Sequence, residues 1–368
     1  MGIMEDKDMR YAARAPTHAF GAGTRPAQPV GGGIGRGGDP GFHAGGVGGP
    51  GWPPSEEGPP LVVITGPTGV GKTEVAVHLA SRLPLEVVSA DSRQVYRGME
   101  IGTAKPSRAQ RETVPHHLID VVNPDERYNA ARFRVEARQA IAAILGRGRL
   151  PLVVGGTGLY IRALLRGLLP APPADPDVRR ELNDLLRREG LKALHSRLRA
   201  VDPKAADRIH ERDRVRIIRA LEIHRVTGAP LDATSHWNES RPEWTLLLVG
   251  LTRPRAALYA ALGARVDAMV ARGLLEETRA LLAAGYDPAP PAMQGIGYRH
   301  FVRVLRGERS EARTIHEMKR DTRQYAKRQW TWFAREPGIR WVDVQAAGGV
   351  EGAAEQVEKW IIQEGLSS

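Results

Sequence analysis

The residues Gly66-Pro67-Thr68-Gly69-Val70-Gly71-Lys72-Thr73 stand directly behind the apolar run Leu61-Val62-Val63-Ile64-Thr65. They fit the pattern G-x-x-x-x-G-K-[ST] in the strand-then-helix setting the pattern requires. The chemistry is phosphate binding. Glycines let the backbone wrap an anion, successive N–H groups and a helix N-terminus point at phosphate oxygens, Lys72 supplies a point charge, and the Thr73 hydroxyl can hold Mg²⁺. A diphosphate or triphosphate is the expected ligand. Most such loops bind a nucleotide such as ATP, but the loop alone leaves open whether the phosphates belong to one.

A kinase, ATPase or GTPase built on this loop needs a second acidic residue for its metal on a neighbouring strand. The candidate strand 150–154 runs instead into Gly155-Gly156-Thr157, and the chain has no Asn-Lys-x-Asp guanine reader. Weight therefore shifts to a transferase that uses the diphosphate as a leaving group, which needs charge neutralisation and an aligned nucleophile. Asp91 follows the second expected strand, at the sheet edge where ligands of open α/β folds bind. Its carboxylate could take the proton of an attacking amine or hydroxyl, or close an Asx turn over Ser92 and Arg93. Thr157, placed in the same way after another strand, could orient an acceptor or cap the helix beginning at Leu159.

The elements that must position these groups alternate strand and helix, which predicts a parallel sheet with helices on its faces. Helix is expected over 72–82, strand over 86–89, an amphipathic helix over 129–145 closed by Gly146, strand over 150–154 and helix over 159–166. From Asp177 to about Gly228 the pattern is helical only, with Pro170-Ala171-Pro172-Pro173 as a hinge. Strand returns over 245–251, helices follow over 254–272, 274–284, 298–306 and 310–334, and a last strand is expected over 339–344. The fold class is an α/β, P-loop NTPase-like parallel sheet flanked by helices, with an inserted all-helical subdomain. Residues 60–167 and 243–345 form the core, 168–242 the insertion, 346–368 a C-terminal helix or tail, and the Gly/Pro-rich residues 1–59 a disordered tail.

With 53 Lys and Arg against 42 Asp and Glu, the net charge is +11. That balance favours an anionic macromolecular partner. Two helical segments concentrate the charge. Within 213–219, Arg216 and Arg219 share a helix face while Ile217 and Ile218 turn towards apolar packing. Within 319–330, Lys319, Arg323 and Lys327 recur every four residues next to aromatic side chains, a surface suited to single-stranded RNA, with Trp330, Trp332 and Phe333 read as core. There is no cysteine, which excludes disulfides, thiolate catalysis and cysteine-based zinc modules. No apolar run approaches a membrane span and the N-terminus lacks a signal-peptide core, so the cytoplasm is the expected compartment.

The phosphate loop at 66–73 is followed in order by Ser-Ala-Asp-Ser-Arg-Gln-Val-Tyr at 89–96, Gly-Thr-Ala-Lys-Pro at 102–106 and Pro-His-His-Leu-Ile-Asp at 115–120. Val-Gly-Gly-Thr-Gly-Leu-Tyr at 154–160, Gln-Gly-Ile-Gly-Tyr-Arg at 294–299 and Tyr-Ala-Lys-Arg-Gln-Trp-Thr-Trp at 325–332 complete the series. Over residues 61–345 the chain closely resembles the tRNA dimethylallyltransferases. The resemblance implies transfer of a dimethylallyl group from dimethylallyl diphosphate to N6 of the adenosine on the 3′ side of the anticodon, with tRNA met through its anticodon loop, Mg²⁺ as cofactor, and the chain acting as a monomer. It implies that the loop, with Lys72 and Thr73, grips the diphosphate and metal. Asp91 matches the general base, Thr157 an acceptor contact and Arg265 an arginine assisting the diphosphate. Ser92, Arg93, Gln94, Arg179, Val215, Arg216, Ile217, Ile218, Arg219, Gln294, Gly295, Ile296, Gly297, Tyr298, Arg299, Arg323, Lys327 and Arg328 match tRNA-contacting positions. The missing Cys/His zinc extension of eukaryotic members implies a bacterial type. Rival readings are a transferase acting on free adenine nucleotides, a P-loop small-molecule kinase and a non-catalytic RNA-binding regulator.

Overall fold

The structure, a computed structural model, describes residues 58–168, 171–231 and 243–367. Residues 1–57 of the tail expected at 1–59, residue 170 of the hinge, and 232–242 of the insertion lie outside the described residues.

Strand β1 (Pro60–Thr65) is buried along its whole length because it lies between two parallel neighbours, β4 (Leu150–Val154) and β5 (Thr245–Thr252). Parallel strands covered on both faces read as continuous apolar runs, which is why β1 and β4 stand out in the sequence. The sheet is completed by β2 (Leu85–Ser89) beside β4, the two-residue β3 (His116–His117) beside β2, and β6 (Arg340–Asp343) beside β5. The order is β3-β2-β4-β1-β5-β6, with every pair parallel. Register aligns Ser89 with Val154, Val154 with Ile64 and Ile64 with Val249. β2, β4 and β1 therefore end nearly level, β5 runs on to Thr252, and the segments following them share one rim.

Side chains alternate between the two faces of β1. Val62 and Ile64 join α1 (Lys72–Ala80) and α12 (Val350–Gln363) in one cluster, whereas Leu61 and Val63 join α3 (Ala130–Gly146) and α4 (Gly158–Arg166) in another. These four strand side chains are fully buried, each contributing about 2 kcal/mol. Helix α2 (Arg108–Thr113), not expected from the sequence, begins at Ser107 with a capping box to Gln110. The amphipathic face of α3 buries Phe133, Ala137, Ile141 and Ile144 as expected, and the Asn129 side chain caps its first turn. Gly146 remains helical; the turn out of α3 is made by Gly148 at φ 67°.

Helices α5 (Pro176–Val201), α6 (Pro203–Arg208) and α7 (Arg214–Thr227) surround an apolar cluster of their own. Beyond β5 come α8 (Arg255–Ala271), α9 (Leu274–Ala283), α10 (Tyr298–Leu305) and α11 (Glu311–Phe333). Met269, Leu274, Leu281, Tyr298, Phe301 and Met318 from these four helices pack on Val95, Tyr96, Met99 and Val122 of the segment that follows β2, closing one end of the rim. Phe333 is core as expected, but Trp330 is 41% exposed, tilted against Trp341 with ring centroids 4.9 Å apart.

Candidate active site

At the carboxyl end of β1 the chain turns through Gly66, Gly69 and Gly71, all at positive φ, before α1 begins. The backbone N–H groups of Gly69, Val70, Gly71, Lys72 and Thr73 have no hydrogen-bond partner among the described residues. Five donors at a helix N-terminus make an anion cradle. Lys72 Nζ donates to the carbonyls of Gly66 (3.0 Å) and Pro67 (2.9 Å). Burial pushes its ammonium down to about 8; Asp91 opposes that shift and Arg265 reinforces it. Arg265 on α8 is likewise lowered by burial, partly offset by Glu74 and Asp91. Lys72, Thr73, Arg265, Arg253 and Asp91 line a cavity of about 500 Å³ over the loop.

Asp91 follows β2, as expected. Its Oδ1 accepts from the N–H groups of Arg93 (2.8 Å) and Gln94 (3.4 Å), the Asx turn, while Oδ2 has no partner among the described residues. Turn and proton acceptance are thus compatible: one oxygen fixes the carboxylate and leaves the other available. The Thr157 hydroxyl makes no cap to α4; it accepts from the Ser92 N–H (3.0 Å), tying the loop after β4 to the loop after β2. Gly155 allows that approach, since a Cβ there would fall 2.2 Å from the Ala90 carbonyl oxygen. The Gln94 side chain accepts from Ser89 Oγ and donates to the Ala104 carbonyl. Arg93 donates to the Pro291 carbonyl.

A second cavity, about 290 Å³, is lined by Arg93, Gln294, Gly295, Arg299, Tyr325 and Arg328 among others. Thr68, Asp91 and Arg265 line both cavities, so the carboxylate and one guanidinium stand at their junction. Burial raises the Tyr325 phenol, which stays protonated; the Arg328 guanidinium lies 5.9 Å from its ring centroid.

Three side chains that the sequence did not single out hold this arrangement. Gln329 on α11 accepts from the Thr68 N–H (2.8 Å) and donates to the Gly156 carbonyl (2.9 Å), joining the phosphate loop to the loop after β4. Glu277 on α9 accepts from the N–H groups of Glu100, Ile101 and Gly102 and from the Tyr298 hydroxyl (2.6 Å). His300 holds the turn before α10 by accepting from the Gly297 N–H at Nδ1, while its Nε2 contacts Asp321. Burial lowers the His300 imidazole, as does Arg299, with Asp321 acting the other way.

The remaining expected contact residues divide by location. Ile296 lines the second cavity; Tyr298 does too, although 1% exposed and bonded inward. Arg299 pairs with Asp321 (2.7 Å). On the helical unit, Val215 is 77% exposed and Arg216 is exposed, whereas Ile217 and Ile218 are buried in that unit's core, so their side chains are not available as direct contacts. Arg179 and Arg219 both hold the fully buried Glu222, at 2.8 and 2.7 Å. Arg323 is half-buried and Lys327 exposed on α11; Lys319 of the same stripe pairs with Asp267 (2.7 Å).

Residues 94–336 match the IPP transferase family model, and residues 59–120 match the isopentenyl transferase model. The chain belongs to this family. A tRNA dimethylallyltransferase of Syntrophobacter fumaroxidans is 51% identical over 79% of this chain and 85% of its own length. One from Desulforudis audaxviator is 48% identical over 83% of this chain and 99% of its own. Among solved structures, the tRNA isopentenylpyrophosphate transferase of Bacillus halodurans superposes with a TM-score of 0.61 at 40% identity, covering 83% of this chain and 96% of that one. A eukaryotic dimethylallyltransferase acting on tRNA gives a TM-score of 0.67 at 31% identity, covering 82% and 76%. The sheet is accordingly the P-loop NTPase-like core of the isopentenyl transferases.

Proposed function

We infer that this chain transfers a dimethylallyl group from dimethylallyl diphosphate to N6 of the adenosine 3′-adjacent to the anticodon of tRNA. The observation that carries the reading is the junction: Asp91 and Arg265 border both a cavity floored by a phosphate loop and a cavity rimmed by Arg93, Tyr325 and Arg328. The donor's diphosphate occupies the first. The target adenine, extruded from its stack, occupies the second, where Tyr325 offers a ring face and the arginines meet phosphates. N6 attacks the allylic carbon, the carbon–oxygen bond to the diphosphate breaks, and the bond's electrons leave with that group. The free Oδ2 of Asp91 takes the N6 proton, while Lys72, Arg265 and the loop N–H groups hold the departing charge. That β4 runs into Gly155-Gly156-Thr157 rather than a carboxylate supports group transfer over ATP hydrolysis.

Mg²⁺ suits the donor set present. No three His, Asp or Glu side chains among the described residues form a cage, but the Thr73 hydroxyl lines the phosphate cavity. Mg²⁺ commonly takes one or two protein oxygens together with phosphate oxygens and water. Thr73 and the diphosphate would hold it, and it would neutralise part of the leaving group's charge.

The test is incubation of the purified protein with unmodified tRNA and dimethylallyl diphosphate, followed by mass analysis of the nucleosides. N6-dimethylallyladenosine is expected. An unchanged adenosine mass, or transfer to AMP as efficient as to tRNA, would overturn the reading.

A further inference from the structure

Strand order sets out the rim as Asp91 after β2, Thr157 after β4, the phosphate loop after β1 and Arg253 after β5. Arg253 therefore flanks the loop on the side opposite the general base. It lines the phosphate cavity, and its Nη2 lies 3.4 Å from the point a Cβ on Gly71 would occupy. Its Nε is shut off from solvent, and among the described residues it has no hydrogen-bond partner and no carboxylate pairs with the guanidinium. Another cavity it borders, with Arg255, Tyr259, Lys327 and Trp330, is lined by no acidic side chain. A guanidinium with its Nε desolvated and unpaired, standing over a phosphate loop, calls for an anion supplied by a ligand.

We propose that Arg253 is a second guanidinium of the donor site and grips the outer phosphate of the diphosphate. Arg265 borders both cavities and so meets the end where the carbon–oxygen bond breaks; Arg253 is absent from the acceptor cavity and meets the far end. The proposal rests on the prenyl-transfer reading. It assigns the two arginines different work: Arg265 acts on the charge developing in the transition state, and Arg253 binds ground state and transition state alike.

The experiment compares wild type with R253M and R253K, keeping to variants whose melting temperature and tRNA affinity match wild type. R253M is expected to raise KM for dimethylallyl diphosphate about 30-fold with kcat falling less than about threefold, and R253K to recover part of the loss. Calorimetry with inorganic diphosphate should show the same 30-fold weakening, whereas inhibition by dimethylallyl monophosphate, which lacks the outer phosphate, should not change. An unchanged donor KM, a loss confined to kcat, or equal losses for monophosphate and diphosphate would each overturn the assignment. Should wild type fail to prenylate tRNA, the functional reading falls, while diphosphate calorimetry still decides whether Arg253 binds that anion.

Discussion

Asp91 illustrates how much one side chain's chemistry depends on which of its atoms are already engaged. Its Oδ1 is committed to the Arg93 and Gln94 amides, so the carboxylate cannot swing away, and Oδ2 is left for a proton. Asparagine would keep the turn, because its carbonyl accepts the same two N–H groups, but could not accept the proton. Asp91→Asn should therefore lower the single-turnover prenylation rate about 10²-fold or more while leaving tRNA and donor affinity near wild type; a rate within threefold of wild type would remove Asp91 from the chemistry. Lys72 makes a second prediction. Burial holds its ammonium at about 8, and a diphosphate favours the charged form, so the bound complex titrates higher. Donor affinity should be full below pH 8 and weaken as pH rises through it, by at most about tenfold per unit, until the complex also deprotonates. Calorimetric titration of an unreactive dimethylallyl diphosphate analogue across pH 7–9.5 reads this directly, and a flat profile would contradict it. The loop and Asp91 were legible in the sequence because each announces itself locally, as a contiguous pattern or a carboxylate just past an apolar run. Arg253, Gln329 and Glu277 were not: each acts on a partner distant in sequence, and an isolated Arg, Gln or Glu carries no local signal.

At the scale of elements, α11 works as a strut. Met318, Thr322, Tyr325 and Gln329 recur at helical spacing; the first three face the acceptor cavity and the last reaches the phosphate loop. One helix thereby fixes both halves of the site relative to each other. Gln329→Leu fills similar space but leaves the Thr68 N–H and the Gly156 carbonyl unpaired, so we expect a loss of about 2 kcal/mol in denaturant melts. Because those two groups belong to the loops that hold donor and acceptor, kcat/KM should also drop roughly tenfold. A variant as stable and active as wild type would show that the loops hold themselves. The sequence predicted the long elements well, since β1 and β4 are continuous apolar runs and α3 carries a helical apolar period, and their ends moved only by a residue or two. It missed β3, whose two histidines are too short a run to show any period, and α2, whose start signal is a four-residue capping box without an apolar face. Trp330 was misplaced because a large apolar residue near a helix end is equally consistent with core and with the surface pairing it makes to Trp341.

For the molecule as a whole, charge and topology separate the two substrates. The cations proposed to meet the donor are sunk in a cavity beside the sheet, whereas Arg323, Lys327 and Arg328 lie on α11 without a carboxylate partner among the described residues. The net charge of +11 favours an anionic partner, and α11 leads towards the cavity holding Tyr325. No helix among the described residues is long and apolar enough to cross a membrane. Exposed phosphate contacts release counterions and buried ones are poorly screened, so the two substrates should respond differently to salt. Between 50 and 200 mM monovalent salt, tRNA affinity should fall about 10²-fold or more. Donor KM over the same range should change less than about threefold. Lys327→Glu combined with Arg323→Glu should reduce the steepness of the tRNA dependence and leave donor KM unmoved. Parallel slopes for the two substrates, or an unaltered tRNA slope in the double variant, would place RNA binding elsewhere on the protein, with the α11 cations serving only as a solvated helix face.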